Sequence, residues 1–104
     1  MADISVIIPT YNEEKVIART LAHIGNQTIS RSSYEIIVVD GGSRDRTREI
    51  ASKYADQVIM QKSKAVGGAR NDGVESATGR VVVHTDADVV VPRDWLKNIL
   101  SLFT

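Results

Sequence analysis

The sequence predicts an α/β fold: one doubly wound, mainly parallel sheet with helices on both faces. Three observations carry this. Four short runs of apolar, β-branched residues are continuous rather than alternating, as strands buried on both faces require. Between them, apolar residues recur at helical spacing, so the order reads β-α-β-α-β-α-β-α. Each strand is followed by a helical stretch before the next, which joins parallel neighbours by right-handed crossovers.

The elements follow in order. "ISVIIP" (4–9) is a short buried strand stopped by Pro9. In "TYNEEKVIARTLAHIGNQT", Ile17, Leu21 and Ile24 form a helical stripe that Val16 widens. Thr10 with Glu13 has the form of a capping box, and Asn12 is a rival N-cap. Glu13 and Glu14 suit the positive end of that helix, and Gly25-Asn26 ends it. "YEIIVVD" (34–40) is the second strand, and Gly41-Gly42 serve a tight turn. Ser43 or Asp45 caps a helix to about Tyr54, with Ile50, Ala51 and Tyr54 inward. "DQVIMQ" (56–61) is a third, shorter strand. Ser63 caps a helix to about Ala77, whose Ala69, Gly73 and Ala77 make a small-residue stripe for close packing. "RVVVHTDAD" (80–88) is the fourth strand, with His84 expected in the core; His23 is expected at the surface. Pro92 opens a last helix whose Trp95, Leu96, Ile99, Leu100 and Phe103 face inward.

Composition narrows the function classes. The 104 residues, 42% hydrophobic, suffice for one compact domain. Lys+Arg and Asp+Glu balance at 13 each, so no basic field calls for nucleic acid. With no cysteine, disulfides, zinc–thiolate sites and thiol catalysis are excluded. The N-terminus lacks the basic region of a secretion signal, and no run nears the ~18 apolar residues of a membrane span. A cytoplasmic location is therefore expected, any membrane association coming through a region outside these residues.

In the order 3-2-1-4, common in such sheets, strands one and four are neighbours and the chain reverses between them. Ligands bind at such a switch point, beyond the carboxyl ends of the strands. There strand one ends in Pro9-Thr10-Tyr11-Asn12-Glu13, strand two in Asp40-Gly41-Gly42-Ser43, strand four in Asp86-Ala87-Asp88. Two carboxylates inside an apolar run need a positive partner. A divalent cation, Mg²⁺ or Mn²⁺, takes one or two carboxylates and completes its shell with phosphate and water. Spacing alone leaves a second reading open, in which Asp86 and Asp88 cap the turn before Pro92. No strand is followed by G-x-G-x-x-G. Gly68 and Gly73 have P-loop spacing, but Val74-Glu75 follow where Lys-Ser/Thr is required.

Taken together, "SVIIPTYNEE", "VVDGGSRDRT" and "GGARNDGVESATGRVVVHTDADVVVP" resemble the N-terminal, nucleotide-binding half of family 2 glycosyltransferases, over about residues 4 to 95. The resemblance implies the GT-A form of the Rossmann-like three-layer sandwich, and residues 1–104 as a single nucleotide-sugar-binding domain. It implies a nucleotide-sugar donor, commonly a UDP-sugar, a divalent metal (Mn²⁺ or Mg²⁺), and inverting transfer to an acceptor hydroxyl. By the same resemblance, Pro9, Thr10, Tyr11 and Glu13 surround base and ribose, Asp40 contacts the base, and Gly68 and Arg70 lie toward the nucleotide. Asp88 is the metal ligand, and Asp86 lies toward the ribose or metal-bound water. Arg70 could instead pair with Asp72 or Glu75 at the surface.

Two departures stand out. The family often has two acidic residues where this chain has Asp40-Gly41, which loosens the base contact. The family's acceptor platform, its general base and its Gln-x-x-Arg-Trp segment belong to a later half, so no catalytic base is identifiable here. The acceptor, sugar or lipid-linked, is unspecified. A sheet that normally continues past strand four would leave an exposed edge, which points to homodimerisation unless the last helix covers it. The competing functions are a nucleotidyltransferase, whose glycine- and lysine-rich first loop is replaced by "PTYNEE", and a receiver-like binding module, which wants an acidic pair after its first strand.

Overall fold

The computed structural model describes residues 2–65 and 67–103. Its elements are β1 (Ile4–Thr10), α1 (Ile17–Ile24), a 3₁₀ turn (Arg31–Ser33), β2 (Tyr34–Asp40), α2 (Thr47–Ala51), β3 (Gln57–Met60), α3 (Gly68–Ser76), β4 (Val81–His84) and α4 (Trp95–Ser101). The four strands form one parallel sheet in the order β3-β2-β1-β4, as expected.

Alternation along the strands divides the core between two faces. Ile4, Val6 and Ile8 of β1, with Ile36 and Val38 of β2, pack against Ile17, Leu21 and Ile24 of α1, Ala51 of α2 and Leu96 of α4. Ile7, Ile37 and Val39 face the other way, onto α3, with Ala69 and Ala77 against them. The small-residue stripe does what its composition implies. A Cβ on Gly73 would lie 2.4 Å from Cγ2 of Ile7, so α3 sits closer to β1 than any side chain at 73 permits.

The register creates the crevice. β1 pairs with β2 along its whole length, to Thr10 opposite Asp40, but with β4 only as far as Ile7 opposite His84. Thr85 still donates to the Ile7 carbonyl, and then the chain leaves the sheet. In a strand, alternate residues direct their backbone groups to opposite sides. Ile7 addresses β4 and Thr10 addresses β2, so Pro9 turns its missing N–H toward the gap where β4 has departed. A proline there costs no ladder bond.

Several element boundaries differ from expectation. The fourth strand ends at His84, so Asp86 and Asp88 stand in the turn beyond it. His84 is exposed on the outermost strand and not packed in the core. Neither Thr10 nor Asn12 caps α1, which starts at Ile17; a turn joined by the Glu13 carbonyl precedes it. The second helix stops at Ala51, leaving Tyr54 exposed, and α3 begins at Gly68 rather than near Ser63. The last helix starts at Trp95, three residues after Pro92. Phe103 is 64% exposed because that helix ends at Ser101, before another turn could bring the ring inward.

Candidate functional site

The mouth of the sheet is built from two loops laced together. Backbone N–H groups of Asn12, Glu13 and Glu14 donate to the side chains of Ser43, Thr47 and Asp45 respectively. In return, Asn12 Oδ1 accepts from the Arg44 N–H and Glu14 from the Arg46 N–H. Asn12 has φ of 52°, a left-handed conformation that asparagine tolerates better than most residues. Gly42, at φ 99°, makes the turn after β2 that brings Ser43 back toward the first loop.

Asp40 organises this lace. Its side chain is fully buried, and its carboxylate accepts four hydrogen bonds: from Thr10 Oγ1 and Ser43 Oγ on one oxygen, from the Gly42 and Ser43 N–H groups on the other. The Arg48 guanidinium lies 3.9 Å away. The carboxylate therefore holds the loop from inside and presents no surface to the crevice. Burial works against the charged form of Asp45, but hydrogen bonds from Thr47 outweigh it and hold its pKa below the ordinary carboxylate value.

The other edge of the crevice is the turn after β4. Ala87 is buried and its carbonyl accepts from Thr20 Oγ1 at 2.6 Å, which ties the turn to α1. Asp86 and Asp88, on either side of it, are both exposed. Among the described residues neither carboxylate has a hydrogen-bond or ion-pair partner. Nor do the described residues gather three or more acidic or histidine side chains into a metal cluster. Two unpartnered carboxylates are nonetheless the donor set that Mg²⁺ or Mn²⁺ takes when phosphate and water fill its remaining positions. The residues present fit such an ion.

The remaining predicted residues distribute around the same mouth. Thr10 is buried beside Asp40, Pro9 is half-buried, and Tyr11 is 57% exposed over the loop. Glu13 contributes its backbone to the lace, its side chain remaining half-buried. Gly68 starts α3 against Ser63, whose carbonyl would lie 2.5 Å from a Cβ at that position. Asp72 fixes the approach to that helix: its carboxylate accepts the N–H groups of Ser63 and Lys62, which lower its pKa. Asp72 is thus occupied, and among the described residues Arg70 is exposed and makes no ion pair with it or with Glu75. Partial desolvation depresses the pKa of His84, and the positive charge of Arg70 depresses it further. A separate hollow of about 180 Å³ between β3 and α3, lined by Ile59, Met60, Lys62, Asp72, Glu75 and Ser76, holds none of these candidates.

Sequence reasoning overlooked Thr20 and undervalued Ser43 and Thr47. Thr20 did leave a signal: a hydroxyl on the apolar stripe of a helix, where burial demands a partner.

The sequence profile of the family Glycosyl transferase family 2 matches residues 5–104. The chain is 36% identical over 104 residues to the glycosyltransferase AglE of Haloferax volcanii, covering 94% of this chain and 34% of that protein. It is 41% identical over 100 residues to a dolichyl-phosphate hexose transferase of the same organism, covering 96% of this chain and 42% of the relative. The chain therefore spans well under half of these relatives. Among solved structures, S. aureus TarS 1–349 in complex with UDP-GlcNAc superposes with a TM-score of 0.87 at 31% identity, over 99% of this chain and 31% of that one. The mannosyltransferase PcManGT of Pyrobaculum calidifontis, in complex with GDP-Man and Mn²⁺, gives 0.85 at 33% identity, over 94% of this chain and 31% of that one. With this fold, this strand order and a family match across nearly its whole length, the chain belongs to glycosyl transferase family 2.

Proposed function

We propose that this chain is the donor-binding domain of an inverting glycosyltransferase, taking a nucleotide-diphospho-sugar, with UDP-sugars the leading class. One observation carries the reading: Asp86 and Asp88 stand exposed and unpartnered on a turn that Ala87 anchors beside the gap between β1 and β4. A divalent cation held there, Mn²⁺ or Mg²⁺, supplies positive charge to a departing diphosphate. The chain's own groups do the rest. Tyr11 offers a ring face for the base, and Arg70 a guanidinium whose donors suit phosphate oxygens. The laced loops keep the crevice in shape without reorganisation when the ligand arrives. The acceptor and the base that deprotonates it are supplied from outside these residues, so the chain alone binds donor without turnover. The relatives' printed ligands, UDP-GlcNAc and GDP-Man with Mn²⁺, support the ligand class.

Calorimetric titration of UDP and GDP, with and without Mn²⁺, tests this. Binding should require or strongly favour the metal, and Asp88→Ala should abolish that dependence. Affinity indifferent to both metal and Asp88 would overturn the assignment.

A further inference from the structure

A polar group outside the expected set borders the same crevice. Gln61 follows β3, and its backbone N–H donates to the Asp40 carbonyl at 2.8 Å, which fixes it beside the loop after β2. Its side-chain Nε2 donates to the Ser63 carbonyl at 2.7 Å. A carbonyl accepts only from a donor, so this bond orients the amide and leaves Oε1 as the outward, accepting end. A Cβ placed on Gly41 would lie 3.4 Å from Gln61 Oε1, 3.5 Å from the Thr10 carbonyl and 3.7 Å from Cδ1 of Tyr11. These groups therefore surround one small space, which the glycine leaves open. The Asp40 carboxylate has no exposed surface and is already taken up by four hydrogen bonds within the two loops.

We infer that Gln61 is a specificity-determining residue that reads the nucleotide base, an inference resting on the donor-binding reading above. Oε1 accepts a hydrogen bond from a ring N–H while Tyr11 covers the base face. Uracil and guanine carry that ring N–H. Cytosine and adenine carry a bare ring nitrogen in the corresponding position, which would meet Oε1 lone pair against lone pair. The reader is neutral, so it selects the oxo bases without setting a carboxylate beside them.

Calorimetry on the 104-residue chain with Mn²⁺ gives the test through two ratios of affinity, UDP over CDP and GDP over ADP. In the pair that binds, the oxo base should be favoured by about tenfold, the worth of one hydrogen bond made against one refused. Gln61→Leu should bring the ratio to about one while diphosphate binding persists. Adding Gly41→Asp, whose side chain enters the same space at ordinary contact distance, should restore the preference. A ratio near one in the unaltered chain, or one that Gln61→Leu leaves unchanged, overturns the role of Gln61 and spares the donor site. No nucleotide binding by the unaltered chain would instead remove the donor site, and this inference with it.

Discussion

At Asp40 a carboxylate with no exposed surface holds four donors and a distant guanidinium. Removing it strands two backbone N–H groups and two hydroxyls where water cannot reach all of them, and such losses exceed the worth of the bonds themselves. Asp40→Ala should therefore cost about 2 to 4 kcal/mol in urea unfolding of the chain. Asp40→Asn should cost less on packing grounds, yet still a good deal, because its NH₂ must face a donor. Either loss would loosen the first loop as well, since Ser43 is shared between Asp40 and the Asn12 N–H. A cost under about 0.5 kcal/mol, the level of an ordinary surface change, would show that the lace closes without its carboxylate.

At the scale of elements, the contact between α3 and β1 weighs two opposed effects. Gly73→Ala gains about 1 kcal/mol of helix propensity. It also drives a methyl to 2.4 Å from Cγ2 of the fully buried Ile7, and overpacking a core costs about 1 to 3 kcal/mol. Ile7 lies in the middle of β1 between two ladders and has little room to yield, so the clash should win by about 1 kcal/mol. Thermal unfolding of Gly73→Ala, Ile7→Ala and the pair forms a double-mutant cycle. The penalty at 73 should vanish once Ile7 is truncated, and simple additivity would refute the clash. This packing was legible in the sequence because the Ala69–Gly73–Ala77 stripe is periodic and local. So were the four strands and the inward faces of α1 and, Phe103 excepted, of α4, which follow from apolar spacing, whereas the strand order came from analogy with other doubly wound sheets. Boundaries were less legible. α1 starts late because Ser43, Asp45 and Thr47 from another loop bond the N–H groups that a local cap would take. The fourth strand ends at His84, and the turn beyond it is held by Thr20, distant in sequence, through the Ala87 carbonyl. Gln61 was hidden for the same reason: nothing in its neighbourhood along the chain announces that Gly41 and Tyr11 share its space.

For the molecule as a whole, the question is whether its open sheet edges hold it together with a second copy. β3 and β4 form the two edges, each four residues long. On β4, Val81 and Thr85 direct their backbone groups to β1, so Val82 and His84 direct theirs outward. Joining two such edges makes about four backbone hydrogen bonds, each worth about 1 kcal/mol net. Association costs at least about 4 kcal/mol in lost translation and rotation, so the edge alone nearly breaks even. The fold already buries its core within one chain, and its 12.8 Å radius of gyration matches a compact body of this length. The homodimer that an exposed edge brings to mind should therefore be weak. Sedimentation should find monomer at micromolar concentration, with any association emerging only above about the millimolar range, since a dissociation constant of about 1 mM already needs a surplus of about 4 kcal/mol. His84→Pro, which removes an outward N–H where an edge strand tolerates proline, should suppress even that. A dimer that survives micromolar dilution, or one indifferent to His84→Pro, would mean that apolar surface rather than the strand edge drives the pairing.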